Sequence, residues 1–361
     1  MNKRDYYVFF SYSVGIGPKT FLKLLRYFKT AEKIYNASEK ELILVGFKGK
    51  SLEKFLESKA EFDFEKYFEK MRKAKVEFIP YGDKHYPFGL KNIDSPPIGL
   101  FIKGNKNLLL SKNNISVVGA RKITSYGRQV TEALVADLVR NYIVITSGMA
   151  MGVDSVSHET AIENKGLTIA VLGCGVDCPY PRENEKLYEK ILDANGLIIS
   201  EYPIGMSANP GTFPARNRII AGISQAVLVT EASEDSGSLI TADYAKKFGK
   251  KIFAVPGPIN SQMAQGSLKL LKQGAKLVSH VDDVLEELSI KNKVSSKTKN
   301  YRFRGLNLEE KKIVKLLENE EMTVDELSKR VNYSVPVIMQ ILGVMEIKGI
   351  IGNINGRYRV I

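Results

Sequence analysis

Ile115-Ser116-Val117-Val118 begins the part of the sequence that decides the fold. Three similar runs follow it: Ile143-Val144-Ile145, Thr168-Ile169-Ala170-Val171-Leu172 and Ala226-Val227-Leu228-Val229. Each run is short, rich in β-branched residues and free of polar alternation, which is typical of strands buried on both faces. Each also leads into a glycine-containing turn and then a helix-like segment. The pattern predicts the α/β class, with a parallel sheet covered by helices.

The size and cysteine content restrict the class of protein. A chain of 361 residues predicts a central domain of roughly 200 residues with smaller flanking domains. Cys174 and Cys178 are the only two cysteines, so no disulfide framework is expected and ordinary packing is the simplest role for them. No signal peptide or long apolar run is visible. We therefore expect a soluble, cytoplasmic protein with no membrane contact.

The positive charge is concentrated in two places. The formal net charge is +13, and residues 1–75 hold 17 Lys and Arg against 10 Asp and Glu. Residues 291–304 add six basic residues and no acidic one. This distribution favours a polyanionic partner, and nucleic acid before a membrane surface. The alternative is that these residues form ordinary solvated faces.

The N-terminal segment, residues 1–75, is expected to be a separate helical domain. Two glycine turns, Val14-Gly15-Ile16-Gly17 and Val45-Gly46-Phe47-Lys48-Gly49, each precede a helix-like apolar pattern. They resemble the helix-hairpin-helix module, or a related SAM-like domain, in which backbone N–H groups approach a phosphate. Glycine is also needed merely to turn between two helices, so contact with DNA and simple packing both remain open.

The C-terminal part is expected to be a winged helix at residues 305–361, joined by a basic linker at residues 289–304. Three helix-like segments, a capping box at Thr323 and Glu326, and a hairpin turned at Asn355-Gly356 give this pattern. The third helix-like segment runs from Ser334 to Lys348, and its part from Ser334 to Glu346 contains no Lys or Arg. A helix that reads a DNA groove is normally basic, so contact with a protein is favoured here.

Six sequence blocks in residues 76–288 resemble the DNA-processing protein A family, also called Smf. After a lead-in from Tyr86 to Gly104, the blocks are Val118-Gly119-Ala120-Arg121, the run from Ser147 to Asp154, the run from Pro179 to Asn184, Ser200-Glu201-Tyr202-Pro203, the run from Phe213 to Gly222, and the run from Ser236 to Ala242. Ala120 and Met149 depart from the usual residues of that family. The resemblance implies a Rossmann-like domain at residues 76–288 that binds DNA.

The residues themselves predict an anion-binding cleft. Strand-to-helix turns of a parallel sheet lie along one edge, where helix N-termini carry partial positive charge. Ser147, Gly148, Gly237 and Ser238 allow a close approach to the backbone, and Asn217 adds a neutral donor. Phosphate contacts are expected from Arg121, Lys122, Arg216 and Arg218. Two alternatives stay open: the glycines could serve packing alone, and Arg216 and Arg218 could pair with Glu201 or Glu231.

No catalytic motif is apparent, and neither a cofactor nor a metal is expected. Gly173-Cys174-Gly175 lacks the third glycine of a dinucleotide-binding turn. His158 follows Asp154 by four residues, and we expect this pair to stabilise its own helical turn. The alternative is a nucleotide-cleaving hydrolase that uses Glu201 or Glu231 in a related cleft.

An anion-binding cleft without an evident base or nucleophile favours binding over catalysis. The resemblance implies a protein that binds single-stranded DNA, protects incoming DNA in natural transformation, the process of competence, and loads the RecA recombinase. It also implies a homodimer. Phe213 is expected to stack on a base. A third possibility is a protein-binding adaptor based on the terminal winged helix.

Overall fold

The computed structural model describes residues 2–292, 306–354 and 356–360. The chain divides into two compact units, residues 1–295 and residues 296–361. Residues 293–304 of the predicted linker and Asn355 of the predicted hairpin turn lie outside the described residues. Among the described residues, no helix combines the length and hydrophobicity needed to cross a membrane.

The first unit is organised around a nine-stranded sheet with the order β1-β2-β6-β5-β4-β3-β7-β8-β9. The pairs β1 with β2 and β2 with β6 are antiparallel, and all other pairs are parallel. The strands are β1 Glu77–Pro80, β2 Gly99–Gly104, β3 Asn114–Val118, β4 Val144–Ser147, β5 Thr168–Val171, β6 Leu197–Ser200, β7 Ala226–Val229, β8 Lys251–Ala254 and β9 Lys276–Leu277.

The four apolar runs in the sequence form β3, β4, β5 and β7, which confirms the α/β class and the mostly parallel sheet. Every residue of these four strands and of β6 is buried. Helices cover both faces of a parallel sheet, so neither face of a central strand can be polar. This burial explains why the runs show no alternation.

Helices alternate with the strands after β1. They are α7 Phe88–Lys91, α8 Ser125–Arg140, α9 Val153–Glu163, α10 Glu185–Asp193, α11 Thr212–Ile223, α12 Ser238–Lys247, α13 Gln265–Lys272 and α14 Val281–Glu287. Short 3₁₀ turns at Lys106–Leu110, Arg182–Asn184 and Gln262–Ala264 complete the unit. In the sequence, Gly266-Ser267 suggests a helix stop, but the structure places both residues inside α13. A Cβ atom at Gly266 would lie 2.4 Å from the Ser233 carbonyl oxygen, so glycine serves close packing there.

Six helices precede the sheet: α1 Lys3–Tyr12, α2 Pro18–Phe28, α3 Ala31–Asn36, α4 Glu39–Leu44, α5 Lys50–Glu61 and α6 Phe64–Lys73. The first glycine turn packs against α5, because a Cβ atom at Gly15 would lie 2.4 Å from the Ser51 carbonyl oxygen. Gly15 also has a φ of +97°, which glycine adopts easily. These helices belong to the same compact unit as the sheet, and the separate domain at residues 1–75 stays a prediction.

The described residues of the second unit form three helices and a two-stranded sheet. They are α15 Leu308–Leu317, α16 Val324–Val331, α17 Val335–Ile347, β10 Ile351–Ile354 and β11 Arg357–Val360. The capping box is present, since the Glu326 N–H donates to Thr323 Oγ1 and the Thr323 N–H donates to Glu326 Oε2. Ile313, Leu327 and Ile338 are fully buried in its core. The helices and hairpin follow one another in the expected order, and the winged-helix assignment stays a prediction.

Candidate nucleic-acid interface

The turns at the carboxyl ends of β3, β4 and β7 contact one another, as the sequence predicts. The Ala120 N–H, just after β3, donates to the Glu231 carbonyl after β7 at 2.8 Å. The Val153 N–H, at the start of α9, donates to the Ala120 carbonyl at 3.1 Å. The turn after β3 is therefore held between its two neighbours, which places Arg121 and Lys122 at the centre of this edge.

Glycine allows these turns to pack so closely. A Cβ atom at Gly152 would lie 2.2 Å from the Ala120 carbonyl oxygen, and Gly152 has a φ of +82°. Met149 is also left-handed, with a φ of +59°, although it is fully buried. Left-handed backbone is unfavourable for a side chain like methionine and easy for glycine. Glycine would therefore adopt the backbone conformation of residue 149 more easily than methionine does.

An exposed cation lies beside an aromatic ring at the edge of the cleft. Thr212 Oγ1 donates to the Gly173 carbonyl at 2.5 Å and so fixes the start of α11 over the turn after β5. Phe213 follows and lies against Gly173, where a Cβ atom would come 2.9 Å from the ring. Arg121 Cζ is 5.7 Å from the centroid of the Phe213 ring. Arg121 and Lys122 are both exposed and, within the described residues, form no ion pair.

A second ring extends this surface, and the sequence analysis did not identify it as a functional residue. The Tyr180 ring centroid lies 5.3 Å from that of Phe213, with 31° between the planes, and Tyr180 is 47% exposed. In the sequence, Tyr180 belongs to the block from Pro179 to Asn184, which indicates only the family resemblance and no role for this ring. We call Arg121, Lys122, Tyr180 and Phe213 the cation–aromatic surface.

Arg216 lies beneath this surface and is not exposed. It is only 5% exposed, and Nη1 donates to the carbonyl oxygens of Gly148, at 2.7 Å, and Val171. Burial lowers the pKa of Arg216, and the nearby Asp154 opposes this shift. Burial likewise raises the pKa of Asp154, against the effect of Arg216 and of its backbone hydrogen bonds. In this conformation Arg216 holds two turns together.

Arg218 forms the ion pair that was left open as an alternative. Its Nη1 and Nη2 donate to Glu201 Oε1 and Oε2 at 2.5 and 2.6 Å, and its Nε donates to the Ser95 carbonyl at 2.9 Å. Both side chains of the pair are about nine-tenths buried. Burial works to lower the pKa of Arg218, but Glu201 outweighs it and raises that pKa. All of these contacts are made within the protein. A side chain that binds phosphate is expected to be exposed, and Arg218 is not.

The neutral candidates fall into two groups. Ser147 and Gly148 are buried, and Ser147 Oγ donates to the Val117 carbonyl at 2.6 Å. Asn217 is half-buried, and its Nδ2 donates to the Gly237 carbonyl at 3.2 Å. Gly237 is exposed and precedes α12, which has no side-chain cap, while Ser238 Oγ contacts Ser236 Oγ at 2.7 Å. Gly237 is thus the accessible member of this set, because Ser238 is buried.

The predicted pairing of His158 with Asp154 is wrong. His158 Nδ1 instead forms a hydrogen bond with Thr168 Oγ1 at 2.7 Å, across to β5. Asp154 Oδ2 turns back to accept from the N–H groups of Gly148 and Ala150, at 3.2 and 3.3 Å. His158 is fully buried, and this burial lowers its pKa to about 3. The neutral imidazole is therefore part of the core.

The acidic residues of the hydrolase alternative have structural contacts. Glu201 is bound to Arg218, and Glu231 accepts hydrogen bonds from the N–H and Oγ1 of Thr124 at 2.9 and 2.5 Å. Among residues 2–292, 306–354 and 356–360, no group of three or more His, Cys, Asp or Glu side chains could hold a metal ion. Cys174 and Cys178 are free thiols that pack in or against the core.

Comparison with known proteins identifies the family of this chain. Residues 77–289 match the family model described as DNA recombination-mediator protein A. DNA processing protein DprA of Bacillus subtilis is 42% identical over 221 residues, which are 61% of this chain and 74% of that protein. Protein Smf of Synechocystis is 37% identical over 291 residues, which are 80% of this chain and 73% of that protein.

Two solved structures have the same fold. The X-ray structure of DNA processing protein A from Streptococcus pneumoniae is 34% identical, with a TM-score of 0.71, and the match covers 80% of this chain and 99% of that chain. A Helicobacter pylori DNA processing protein A, studied for its single-stranded DNA binding mode, is 31% identical, with a TM-score of 0.54, over 60% of this chain and 96% of that one. The matched residues include every turn of the cleft, and this chain therefore belongs to the DNA recombination-mediator protein A family.

Proposed function

We propose that this protein binds single-stranded DNA on the cation–aromatic surface, without catalysis. The observation that carries the proposal is the contact of Arg121 with Phe213 at the edge where the glycine turns meet. A nucleotide has a charged phosphate and a flat base, and the surface offers one partner for each. That the Helicobacter pylori relative binds single-stranded DNA supports the same ligand here.

The phosphates would be bound by Arg121 and Lys122, together with the N-terminus of α12 at Gly237 and Ser238. Both side chains are exposed and have no acidic partner among the described residues. Arg is well suited to bidentate phosphate contact, and the partial positive charge at a helix start attracts anions. Asn217 lies beside the N-terminus of α12, because its side chain donates to the Gly237 carbonyl.

The bases would stack on Phe213 and Tyr180. Stacking tolerates any base, because every base has a flat apolar face. A single strand exposes these faces, whereas a duplex keeps them inside its own stack. The cation–aromatic surface therefore favours single strands over duplex DNA.

The buried members of the predicted site would shape the surface. We assign to Arg216, Ser147 and Gly148 the role of holding the turns after β4 and β5. Arg218 would act through Glu201 and the Ser95 carbonyl, by anchoring α11 and so Phe213. Direct contact of either arginine with phosphate would require the internal hydrogen bonds described above to break.

A binding function also fits the position of the two acids. Hydrolysis would need a carboxyl group free to transfer a proton near the substrate. Glu201 is held by a bidentate ion pair, and Glu231 by two hydrogen bonds from Thr124. These contacts do not favour the nucleotide-cleaving alternative.

In the cell, we propose that the protein is a cytoplasmic homodimer that protects incoming DNA during natural transformation and loads the RecA recombinase. Residues 1–75 would act as a helix-hairpin-helix or SAM-like domain and residues 305–361 as a winged helix. In α17, Met339, Val344 and Ile347 are exposed, and no Lys or Arg occurs from Ser334 to Glu346. This apolar surface supports contact of the winged helix with a protein.

Binding to a fluorescent oligonucleotide tests the proposal. The protein should bind the single strand more tightly than the duplex, and it should leave nucleotides uncleaved. It should also speed the nucleation of RecA filaments on that strand, whereas the Arg121→Ala/Lys122→Ala variant should bind the strand more weakly and speed nucleation less. Equal affinity for duplex, or turnover of a nucleotide by the wild type, would contradict the proposal.

A further inference from the structure

A cavity lies at the carboxyl ends of β7 and β8, next to the turn after β3. It has a volume of about 350 Å³ and is lined by residues from the start of α8, from the turns after β7 and β8, and from α13. After β3, the chain adds β4, β5 and β6 on one side and β7, β8 and β9 on the other. The cavity therefore lies at the topological switch point, where open α/β sheets bind ligands. Its volume is in the range of small-molecule sites.

A buried hydroxyl in this cavity has no partner. Ser267, in α13, lines the cavity and is 1% exposed, and within the described residues its Oγ forms no hydrogen bond. Buried polar groups in folded proteins are nearly always hydrogen-bonded. The hydroxyl can both donate and accept, so it is suited to a polar ligand in the cavity.

A carboxylate in the same cavity has unused accepting capacity. Glu231 is 5% exposed, and each of its oxygens accepts one hydrogen bond from Thr124. A carboxylate can accept about four hydrogen bonds, so each oxygen can take one more. The negative charge at the start of α8 disfavours a phosphate here. The carboxylate is suited to a ligand with two neighbouring donors.

The other walls suit a flat, largely apolar body. Val255, Pro258 and Ala264 line the cavity with carbon atoms. The Tyr126 ring also lines it, and its hydroxyl donates to the Pro256 carbonyl at 2.6 Å, which ties the ring to the loop after β8. An aromatic ring and apolar walls are what a nucleobase needs for stacking.

We propose that this cavity binds a guanine base. Among the common bases, only guanine presents two adjacent donors, N1–H and N2–H, that match the two oxygens of Glu231. Its O6 and N7 are acceptors for the Ser267 hydroxyl. The inference goes beyond the proposed function, because none of these residues belongs to the cation–aromatic surface. The guanine can come from a bound DNA strand or from a free guanine nucleotide.

Calorimetric titration of the full chain with guanosine and with inosine tests the cavity. Inosine lacks the N2 amine, so it should bind at least tenfold more weakly than guanosine. Ser267→Ala should weaken guanosine binding, while Ser11→Ala should not, because Ser11 is another serine with a buried, unpartnered hydroxyl, located in α1. Glu231→Gln should also weaken binding, with thermal denaturation to confirm that it folds.

A second arm identifies the source of the base. Oligo(dT) and the same strand with one central dG are titrated against the wild type and Ser267→Ala. A gain in affinity from the dG that Ser267→Ala removes, with no binding of guanosine, would show that the base comes from the strand. Absence of both effects, or equal binding of inosine and guanosine, would overturn the inference. Guanosine binding without oligonucleotide binding would contradict the proposed DNA function and leave the guanine site supported.

Discussion

The guanidinium carbon of Arg121 lies 5.7 Å from the centre of the Phe213 ring, although the two residues follow different strands of the sheet. Arg121 follows β3, and Phe213 is the second residue of α11, the helix after β6. A cation at this distance from a ring is attracted by its π electrons. This contact keeps the charge next to the stacking face, so that one nucleotide can use both.

Replacing Phe213 by Leu should weaken binding of single-stranded oligonucleotides about tenfold. The change removes the stacking face, and one stacked base contributes about 1–3 kcal/mol. Leucine retains an apolar contact with Gly173, so folding should be preserved. Fluorescence anisotropy measures the affinity, and Phe213→Tyr is the control that keeps the ring. Equal affinity of the Leu and Tyr variants would show that no base stacks there.

Replacing Glu201 by Gln should destabilise the first unit by about 3–5 kcal/mol, because it leaves the Arg218 charge buried and unpaired. Urea denaturation measures the change. Circular dichroism is the readout, because the chain contains no tryptophan for fluorescence. Glu69→Gln, in the exposed pair of Glu69 with Lys73, is the control and should have little effect. A fully stable Glu201→Gln protein would contradict the anchoring role of this ion pair.

His158 should make stability depend on pH between about 6.5 and 3. Its pKa falls from 6.5 to about 3 on folding, so the unfolded chain binds the proton first as the pH drops. The stability that depends on the neutral ring is complete above pH 6.5 and is lost at about 1.4 kcal/mol per pH unit below it.

The measurement is a series of urea denaturations at different pH values, compared with His158→Gln. The variant should lack this part of the pH dependence, and the exposed His280→Gln should keep it. If wild type and His158→Gln have parallel stability curves, the histidine is not buried in its neutral form.

Much of the fold can be predicted from the sequence because the central strands are uniformly buried. The runs that became β3, β4, β5 and β7 stand out against polar surroundings. The short strand β9 does not, because both of its residues are exposed and apolar patterning reports burial. The helix stop predicted at Gly266 is wrong, because glycine can either end a helix or allow close packing within one, and the sequence does not distinguish the two.

The site was harder to predict than the fold, because the sequence does not show which polar side chains face a cleft and which are buried. Arg121, Arg216 and Arg218 have the same chemistry in the sequence, but only Arg121 is exposed. Tyr180 needed the tertiary contact with Phe213 to be recognised. The Arg218 pair with Glu201 joins residues from two elements, and the sequence could offer it only as an alternative.

The salt dependence of single-strand binding tests the central claim most directly. Each phosphate neutralised on a single strand contributes about −0.7 to the slope of log affinity against log salt. The Arg121→Ala/Lys122→Ala variant should therefore bind more weakly and with a slope flatter by about 1.4 units. Arg140→Ala, at the other end of α8 and paired with Asp137, is the control for loss of charge. Wild-type affinity and slope in the double variant would place the DNA site elsewhere on the protein.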